Sequence, residues 1–369
     1  MEPSIAVAVT LVAAAAIAFE LNISSAIVEI LAGVLLALWI GDVAQLGWVN
    51  FLANLGMLGL MFMAGFEVDV HRLRSTWKAS LAIGCCSLAV PLVGVFALAR
   101  FAFGLDLLPS GVVAIALSTT SLALVYHALK ERGLLEHDLG QTVLAAASVV
   151  DVLSMVSLAL LLGEAGWGTA IFLLVAIPLV IGLPRLGRWI FRRYRYSLAE
   201  FELRFLLVLL VSMGFMAEEI GGIHPATVAF GLGLLLSEVV DAHDEVEDKL
   251  KGIVFSLFAP IFFLHAGAKF DVSLVDAGVA RDAAIFLVVA TTLKFLGSAL
   301  PARRMLNLPG RFIGLVFNYR LSFGIIAATV GLNMEVLTHQ TYAVILLVVV
   351  CSAALPVIFL RDRPVELER

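Results

Sequence analysis

The sequence predicts an all-α membrane protein of about thirteen transmembrane helices, arranged as two inverted repeats of six with broken, crossing helices. Three observations carry this. Hydrophobic residues make up 62% of the chain and charged residues 14%, with a mean hydropathy of +1.05, a balance that excludes a water-soluble domain of this size. Apolar runs of spanning length recur from end to end. Short polar motifs recur at a spacing of about 200 residues.

Apolar runs of about 16 to 25 residues, the length that crosses the hydrocarbon core, occur at 4–19, 24–41, 48–66, 77–99, 109–130, 138–161, 168–187, 201–219, 224–240, 252–268, 279–301, 311–331 and 338–360. The first lacks a basic n-region and so reads as a span, not a cleaved signal. The second carries Glu29, the sixth Asp151 and the eleventh Lys294, while the fifth and twelfth are interrupted by Ser118-Thr119-Thr120-Ser121 and Asn318-Tyr319-Arg320-Leu321-Ser322. Cys85, Cys86 and Cys351 all lie inside apolar runs without metal-site or disulfide spacing and read as small core residues.

Lysine and arginine fix the orientation. Alternate loops collect Arg72, Arg74, Lys78, Lys130, Arg132, the cluster Arg185 to Arg195, Lys249, Lys251, Arg303, Arg304, Arg311 and the tail, which is eighteen of the 24 basic residues. The positive-inside rule then puts the N-terminus outside and the C-terminus in the cytoplasm of a plasma (inner) membrane protein.

The third span ends Ala64-Gly65-Phe66-Glu67-Val68-Asp69-Val70 and the tenth ends Ala266-Gly267-Ala268-Lys269-Phe270-Asp271-Val272, an offset of 202, and the two polar interruptions are offset by 200. An odd number of spans between equivalent elements gives the copies opposite orientation, the plan of secondary transporters. Ser and Thr clusters in mid-membrane suit unwound helices whose freed backbone groups need partners, although hydroxyls that bond back to their own helix explain any one of them equally well.

Within nine residues on either side Asp151 has only apolar and small hydroxyl neighbours. An acid at bilayer depth costs roughly 2.5 to 3.5 kcal/mol on insertion scales, so its presence is a functional signal. A bound proton or a bound alkali cation removes that cost, and a site that takes either but not both exchanges one for the other. Ser118, Thr119 and Thr120, with Asn318 from the second interruption, offer the hard oxygen ligands that a dehydrated cation needs. Arg320 cannot lose its charge and reads as tying helix ends to backbone carbonyls or to an acid. Lys294 either pairs with Asp151 or snorkels toward the cytoplasm. Glu67 and Asp69 read as inner-interface acids, Glu218 and Glu219 as outer ones, and Glu29 as pairing with a neighbouring helix. His224, His265 and His339 are too scattered for a metal site and are candidates for pH sensing.

These residues resemble the monovalent cation/proton antiporters of the Kef and NapA type along the whole chain. The likeness is carried by Val28-Glu29-Ile30-Leu31-Ala32-Gly33, by Phe62-Met63-Ala64-Gly65-Phe66-Glu67-Val68-Asp69, and by Leu117-Ser118-Thr119-Thr120-Ser121 with Leu129-Lys130-Glu131-Arg132-Gly133. It continues in Val150-Asp151-Val152-Leu153, in Pro225-Ala226 with Phe230, Gly231 and Gly233, and in Phe262-Phe263-Leu264 with Gly267. The resemblance implies a NapA/NhaA-like antiporter fold within a single transmembrane domain. Its scaffold would comprise about 1–70 and 200–272, its mobile core about 77–161 and 279–360, and its linker helix 168–187. It also implies a homodimer in membrane lipid with no cofactor, transporting Na+ or K+ against H+. Relatives of this kind often place a second polar or acidic residue where this chain has Val150, and a lysine like Lys294 beside it. One acid instead of two implies electroneutral exchange. Many such relatives continue into a cytoplasmic regulatory domain; the chain's end about nine residues after its last span implies either no cytoplasmic regulatory domain or a sequence that stops short of one.

Two other readings share the fold: a Kef-like K+ efflux system with channel-like flux, and an organic-anion symporter. An enzyme is disfavoured because the spans lack paired aspartates, a His-Glu metal motif or a nucleophile elbow. The basic residues serve topology, so no nucleic-acid partner is expected.

Overall fold

A computed structural model describes residues 3–21, 23–41, 43–66, 77–130, 132–135, 137–163, 182–183, 185–187, 189–190, 193, 200–219, 224–240 and 244–360. The inner-interface acids Glu67 and Asp69, residues 168–181 of the expected linker helix, the side chain of Glu218 and the C-terminal tail lie outside them.

The described residues are helical, without strands. The helices are α1 Pro3–Leu21, α2 Ser25–Ile40, α3 Gly47–Phe66, α4 Trp77–Ala97, α5 Leu107–Ala116, α6 Leu122–Lys130, α7 Asp138–Leu162, α8 Phe201–Glu219, α9 Pro225–Val240, α10 Asp244–Ile253, α11 Ala259–Ala268, α12 Ala277–Leu306, α13 Gly310–Val316, α14 Ser322–Asn333 and α15 His339–Leu360. Seven helical stretches are long and apolar enough to cross a membrane. One of them, Asp248–Ala268, is continuous because a π-turn at Val254–Phe258 joins α10 to α11. Other expected spans are shorter. α2 and α9 have 16 residues each, and the fifth and twelfth runs are split into α5 with α6 and α13 with α14.

The chain forms two compact units. The first comprises Met1–Val68 and Leu162–Lys269, the second Asp69–Leu161 and Phe270–Arg369.

In the first unit, α3 packs on α9 and α2 on α11, with glycines at both crossings. A Cβ on Gly65 would overlap the carbonyl oxygen of Phe230, and one on Gly233 that of Phe62. At the other crossing, Gly33 lies against the carbonyl of Leu264 and Gly267 against that of Ile30. Helices in lipid gain no hydrophobic driving force from one another, so backbone-to-backbone approach at small residues supplies the packing. Val7, Leu36, Val49, Ile261 and Leu264 fill an adjoining apolar cluster.

In the second unit, α12 packs along α4, α13 and α15, and α14 packs on α5 and α15. Ile83, Leu88, Val125, Val143, Val150, Val316, Phe317 and Tyr319 belong to one buried cluster that brings α4, α6, α7 and the region after α13 together. The cysteines depart from the core expectation: Cys85 and Cys86 are half-buried and Cys351 is exposed. A thiol on a helix face turned outward is compatible with lipid, where apolar surface carries no penalty.

Between α11 and α12, the Asp271 carboxylate accepts hydrogen bonds from the Ser273 hydroxyl (2.6 Å) and backbone N–H (2.9 Å), capping the 3-10 turn Val272–Leu274. These two donors hold its pKa below the usual 3.8. A depressed acid stabilises the fold above its unfolded pKa and loses that contribution as pH falls through the folded value. The protection factor of the amides at residues 272–275, that is, exchange corrected for the intrinsic base-catalysed rate, is therefore expected to be constant at neutral pH and to fall only in acid. In Asp271→Asn it is expected to be lower at neutral pH and to lack that acid step.

Candidate ion-binding site

The second unit gathers every residue that the sequence proposes for ion binding or charge compensation. α5 ends at Ala116 and α6 begins at Leu122, while α13 ends at Val316 and α14 begins at Ser322. Before each break the helix tightens in the same way: Leu117 N bonds to Val113 O and Ser118 N to Ile115 O, as Phe317 N does to Ile313 O and Asn318 N to Leu315 O, all at 3.0 Å. The breaks then pair with each other. Ser121 N donates to Tyr319 O at 2.6 Å, the Thr120 hydroxyl donates to Phe317 O at 3.2 Å, and the Ser121 and Ser322 hydroxyls lie 3.3 Å apart. Backbone groups released by unwinding thus find partners inside protein, the condition for non-helical chain at membrane depth.

Ser118, Thr119, Thr120 and Asn318 are all buried. The Thr119 hydroxyl donates to Ala116 O at 3.2 Å, and Asn318 Nδ2 donates to Gly314 O at 2.9 Å. A hydroxyl that donates its proton keeps oxygen lone pairs for a cation.

Lys294 is fully buried on α12, so it does not snorkel. Its ammonium donates to the Ser118 carbonyl at 2.6 Å and stands 5.9 Å from the centre of the Phe317 ring, within cation–π range. Asp151 and Arg320 both act on it through their charges. Arg320, also fully buried, donates through one Nη to Ala290 O at 2.6 Å and to Asn318 Oδ1 at 3.0 Å. It therefore ties the second break to α12 through a carbonyl, one of the two roles expected of it. Among the described residues its Nε and other Nη find no hydrogen-bond partner.

Asp151 sits on α7 with 6% of its surface exposed, and the preceding Val150 is fully buried in the cluster with Phe317 and Tyr319. The position before Asp151 is thus apolar and buried, with no second acid beside it.

Other candidates fall elsewhere. Glu29 is buried in the first unit, and its partner is Ser25 on its own helix, not a neighbouring one. His224 Nδ1 accepts from Ala226 N at 3.2 Å at the start of α9, and His265 pairs through Nε2 with Ala44 O at 3.2 Å. Both rings thus have local structural partners. Among the described residues no group of His, Cys, Asp and Glu has metal-site geometry. Sequence reading did not pick out Phe317, which carries no polar signal. It also passed over Ser154, which lies three residues after Asp151 and was legible from helical periodicity alone.

Residues 6–361 match the family model described as sodium/hydrogen exchanger, transmembrane. Among curated relatives, "Probable Na(+)/H(+) antiporter 3" of Methanocaldococcus jannaschii is 29% identical over 322 residues, covering 83% of this chain and 81% of that protein. "Na(+)/H(+)-K(+) antiporter GerN" of Bacillus cereus is 25% identical, with 84% and 83% covered. "Cation/H(+) antiporter 18" of Arabidopsis thaliana is 30% identical over 80% of this chain, which spans only 39% of that longer protein. Among solved structures, the sodium proton antiporter MjNhaP1 from Methanocaldococcus jannaschii at pH 8 superposes with a TM-score of 0.70 at 18% identity, over 97% of this chain and 96% of that one. That likeness is one of fold.

Proposed function

The chain belongs to the sodium/hydrogen exchanger transmembrane family, and we propose from that premise that it exchanges Na+ or K+ for H+ by alternating access at a single carboxylate, Asp151. One observation carries the reading: Asp151 is buried on α7 in the unit where two helix breaks present Ser118, Thr119, Thr120 and Asn318. The carboxylate supplies charge, and the hydroxyl and carbonyl oxygens supply the ligands that replace a cation's water. A proton on Asp151 neutralises it equally well, so the site crosses the membrane loaded with one or the other.

Electroneutrality follows from the charges that stay put. Arg320 keeps its proton, and Lys294 is held by the Ser118 carbonyl and the Phe317 ring. Val150 adds no second acid. One cation then moves against one proton, and no net charge crosses.

The second unit serves as the mobile core and the first as the scaffold that pairs two copies into a dimer in the plasma (inner) membrane, with the N-terminus outside and the C-terminus in the cytoplasm. The proposed plan is thirteen spans with two inverted repeats of six. Two sets of contacts support the repeat. The hydrogen bonds that close α5 and α13 match at an offset of 200, and Gly33 and Gly65 correspond to Gly233 and Gly267 at offsets of 200 and 202. Each glycine crossing thus pairs a residue of one copy with the reciprocal residue of the other.

Purified protein in liposomes tests this reading. With the membrane potential clamped at zero, an imposed Na+ or K+ gradient is expected to move protons. Imposing a potential of either sign is expected to leave the rate unchanged. Cation flux without proton movement would replace exchange by channel-like flux, and a rate that follows the potential would reject the one-for-one ratio.

A further inference from the structure

Buried and half-buried hydroxyls on the apolar helices of the second unit usually satisfy themselves on their own backbone. Ser148 donates to Leu144 O, Ser157 to Leu153 O, Ser298 to Lys294 O, Ser352 to Val349 O and Thr291 to Leu287 O. This back-bond is always available in a helix, because the carbonyl four residues earlier has a spare lone pair. In lipid, where no water competes, forgoing it leaves a desolvated polar group without compensation.

Ser154 is an exception. Its side chain is fully buried, and among the described residues its Oγ has no hydrogen-bond partner, although the Val150 carbonyl is in the standard position to receive it. The Ser118 hydroxyl, whose residue supplies the carbonyl that binds Lys294, is left in the same condition. Ser154 lies three residues after Asp151 on α7, so the two side chains share one helix face with Cβ atoms about 5 to 6 Å apart. That separation lets a carboxylate oxygen and a hydroxyl oxygen converge on one ion at the 2 to 3 Å distances typical of oxygen ligands.

We propose that Ser154 is a direct ligand of the transported cation, its hydroxyl oxygen completing the oxygen cage begun by Asp151 and the Ser118 to Thr120 break. This rests on Asp151 being the exchange site. A hydroxyl oxygen ligates a cation directly and helps replace its water, whereas to the protonated, neutral carboxylic acid it offers a single neutral hydrogen bond. Ser154 therefore weights the competition at Asp151 toward the cation and, through the size of the cage, weights one cation against another.

The test is exchange by full-length protein in liposomes, reading apparent KM for Na+, K+ and Li+ in wild type, Ser154→Ala, Ser154→Thr and Ser157→Ala. Ser154→Ala is expected to raise the apparent KM for the preferred cation roughly tenfold, equivalent to about 1.4 kcal/mol, and to change the Na+/K+/Li+ ratio. Its maximal rate is expected to stay within about twofold. Ser154→Thr, which keeps the oxygen, is expected to retain the wild-type order of cations. Ser157→Ala removes only a self-satisfied hydroxyl and controls for general effects on α7. KM and selectivity do not depend on how much protein folds, so reduced yield does not obscure them. Unchanged KM and selectivity in Ser154→Ala, or the same change in Ser157→Ala, would overturn the assignment. Asp151→Asn, assayed alongside, separates the two levels: if it still exchanges, the site itself is elsewhere, whereas if it is dead and Ser154→Ala behaves as wild type, only the Ser154 ligand is refuted.

Discussion

Asp151→Asn is expected to reduce cation-dependent proton movement in liposomes to the leak of empty vesicles, a loss of at least about a hundredfold, or roughly 2.7 kcal/mol. The substitution preserves shape and hydrogen-bonding capacity, so its effect isolates charge. Hydroxyl and carbonyl oxygens solvate an alkali cation but do not neutralise it. In the same unit Arg320 is permanently positive and fully buried, with the Lys294 amine close enough to feel both it and Asp151. Without the carboxylate an incoming cation would add to that positive charge in a medium that screens it poorly. The amide also has no titratable proton to take up and release, so both halves of the cycle stop together. Asp151→Glu keeps the charge but moves it by one methylene and is expected to retain measurable exchange with weakened cation affinity. Robust coupled exchange by the Asn variant would mean that the proton and the cation are carried by another group.

The sequence made the positions of charge and the helix breaks legible for a simple reason: each is a local violation of an otherwise apolar pattern. Asp151, Lys294 and Arg320 stand in the interior of runs whose other charged residues, Asp138, Arg281, Asp282 and Arg311, lie only at the ends, and Ser118 to Ser121 and Asn318 to Ser322 interrupt runs that should otherwise continue as helix. Burial of all three charges and non-helical backbone at both interruptions follow from those violations. What the sequence did not disclose is which partner each group takes. Lys294 reads as pairing with Asp151 or snorkelling; it is buried within reach of the Asp151 charge, and it also donates to the Ser118 carbonyl, an acceptor that exists only because unwinding frees it. Glu29 was assigned to a neighbouring helix and is satisfied by Ser25 on its own. Val150 read simply as a missing acid, whereas it belongs to the packing around Phe317 and Tyr319. Partners set by backbone carbonyls or ring faces leave no residue-type signature, so they become visible only in three dimensions. The recurring Ala-Gly motif is an intermediate case. The repeat offset could be read from the chain, but not that Gly65 meets α9 and Gly267 meets α2.

Those crossings give the second large effect, on stability. Gly233→Ala places a methyl group against the Phe62 carbonyl, and Gly33→Ala places one against that of Leu264. Neither obstacle is a flexible side chain that can turn away, because both are backbone of a packed helix. The helices must move apart, forfeiting contacts along the whole crossing, at a cost of about 1 to 3 kcal/mol or more. In a single helix the same change would be favourable, since alanine outranks glycine by about 0.8 to 1.0 kcal/mol as a helix former. Gly231 supplies that comparison: it lies on α9 two residues before Gly233, and a Cβ there meets nothing within 4 Å. Thermal unfolding in detergent is expected to show Gly231→Ala at or above the wild-type Tm and Gly233→Ala below it by about 1 to 4 °C. Gly33→Ala is expected to fall by a similar amount, because Gly33 and Gly233 are equivalent in the proposed repeat, 200 residues apart. Equal Tm values for Gly231→Ala and Gly233→Ala would remove close backbone approach as the source of packing in the first unit. A loss at Gly233 without one at Gly33 would break the equivalence of the two crossings and, with it, a main support for reading the scaffold as two inverted copies.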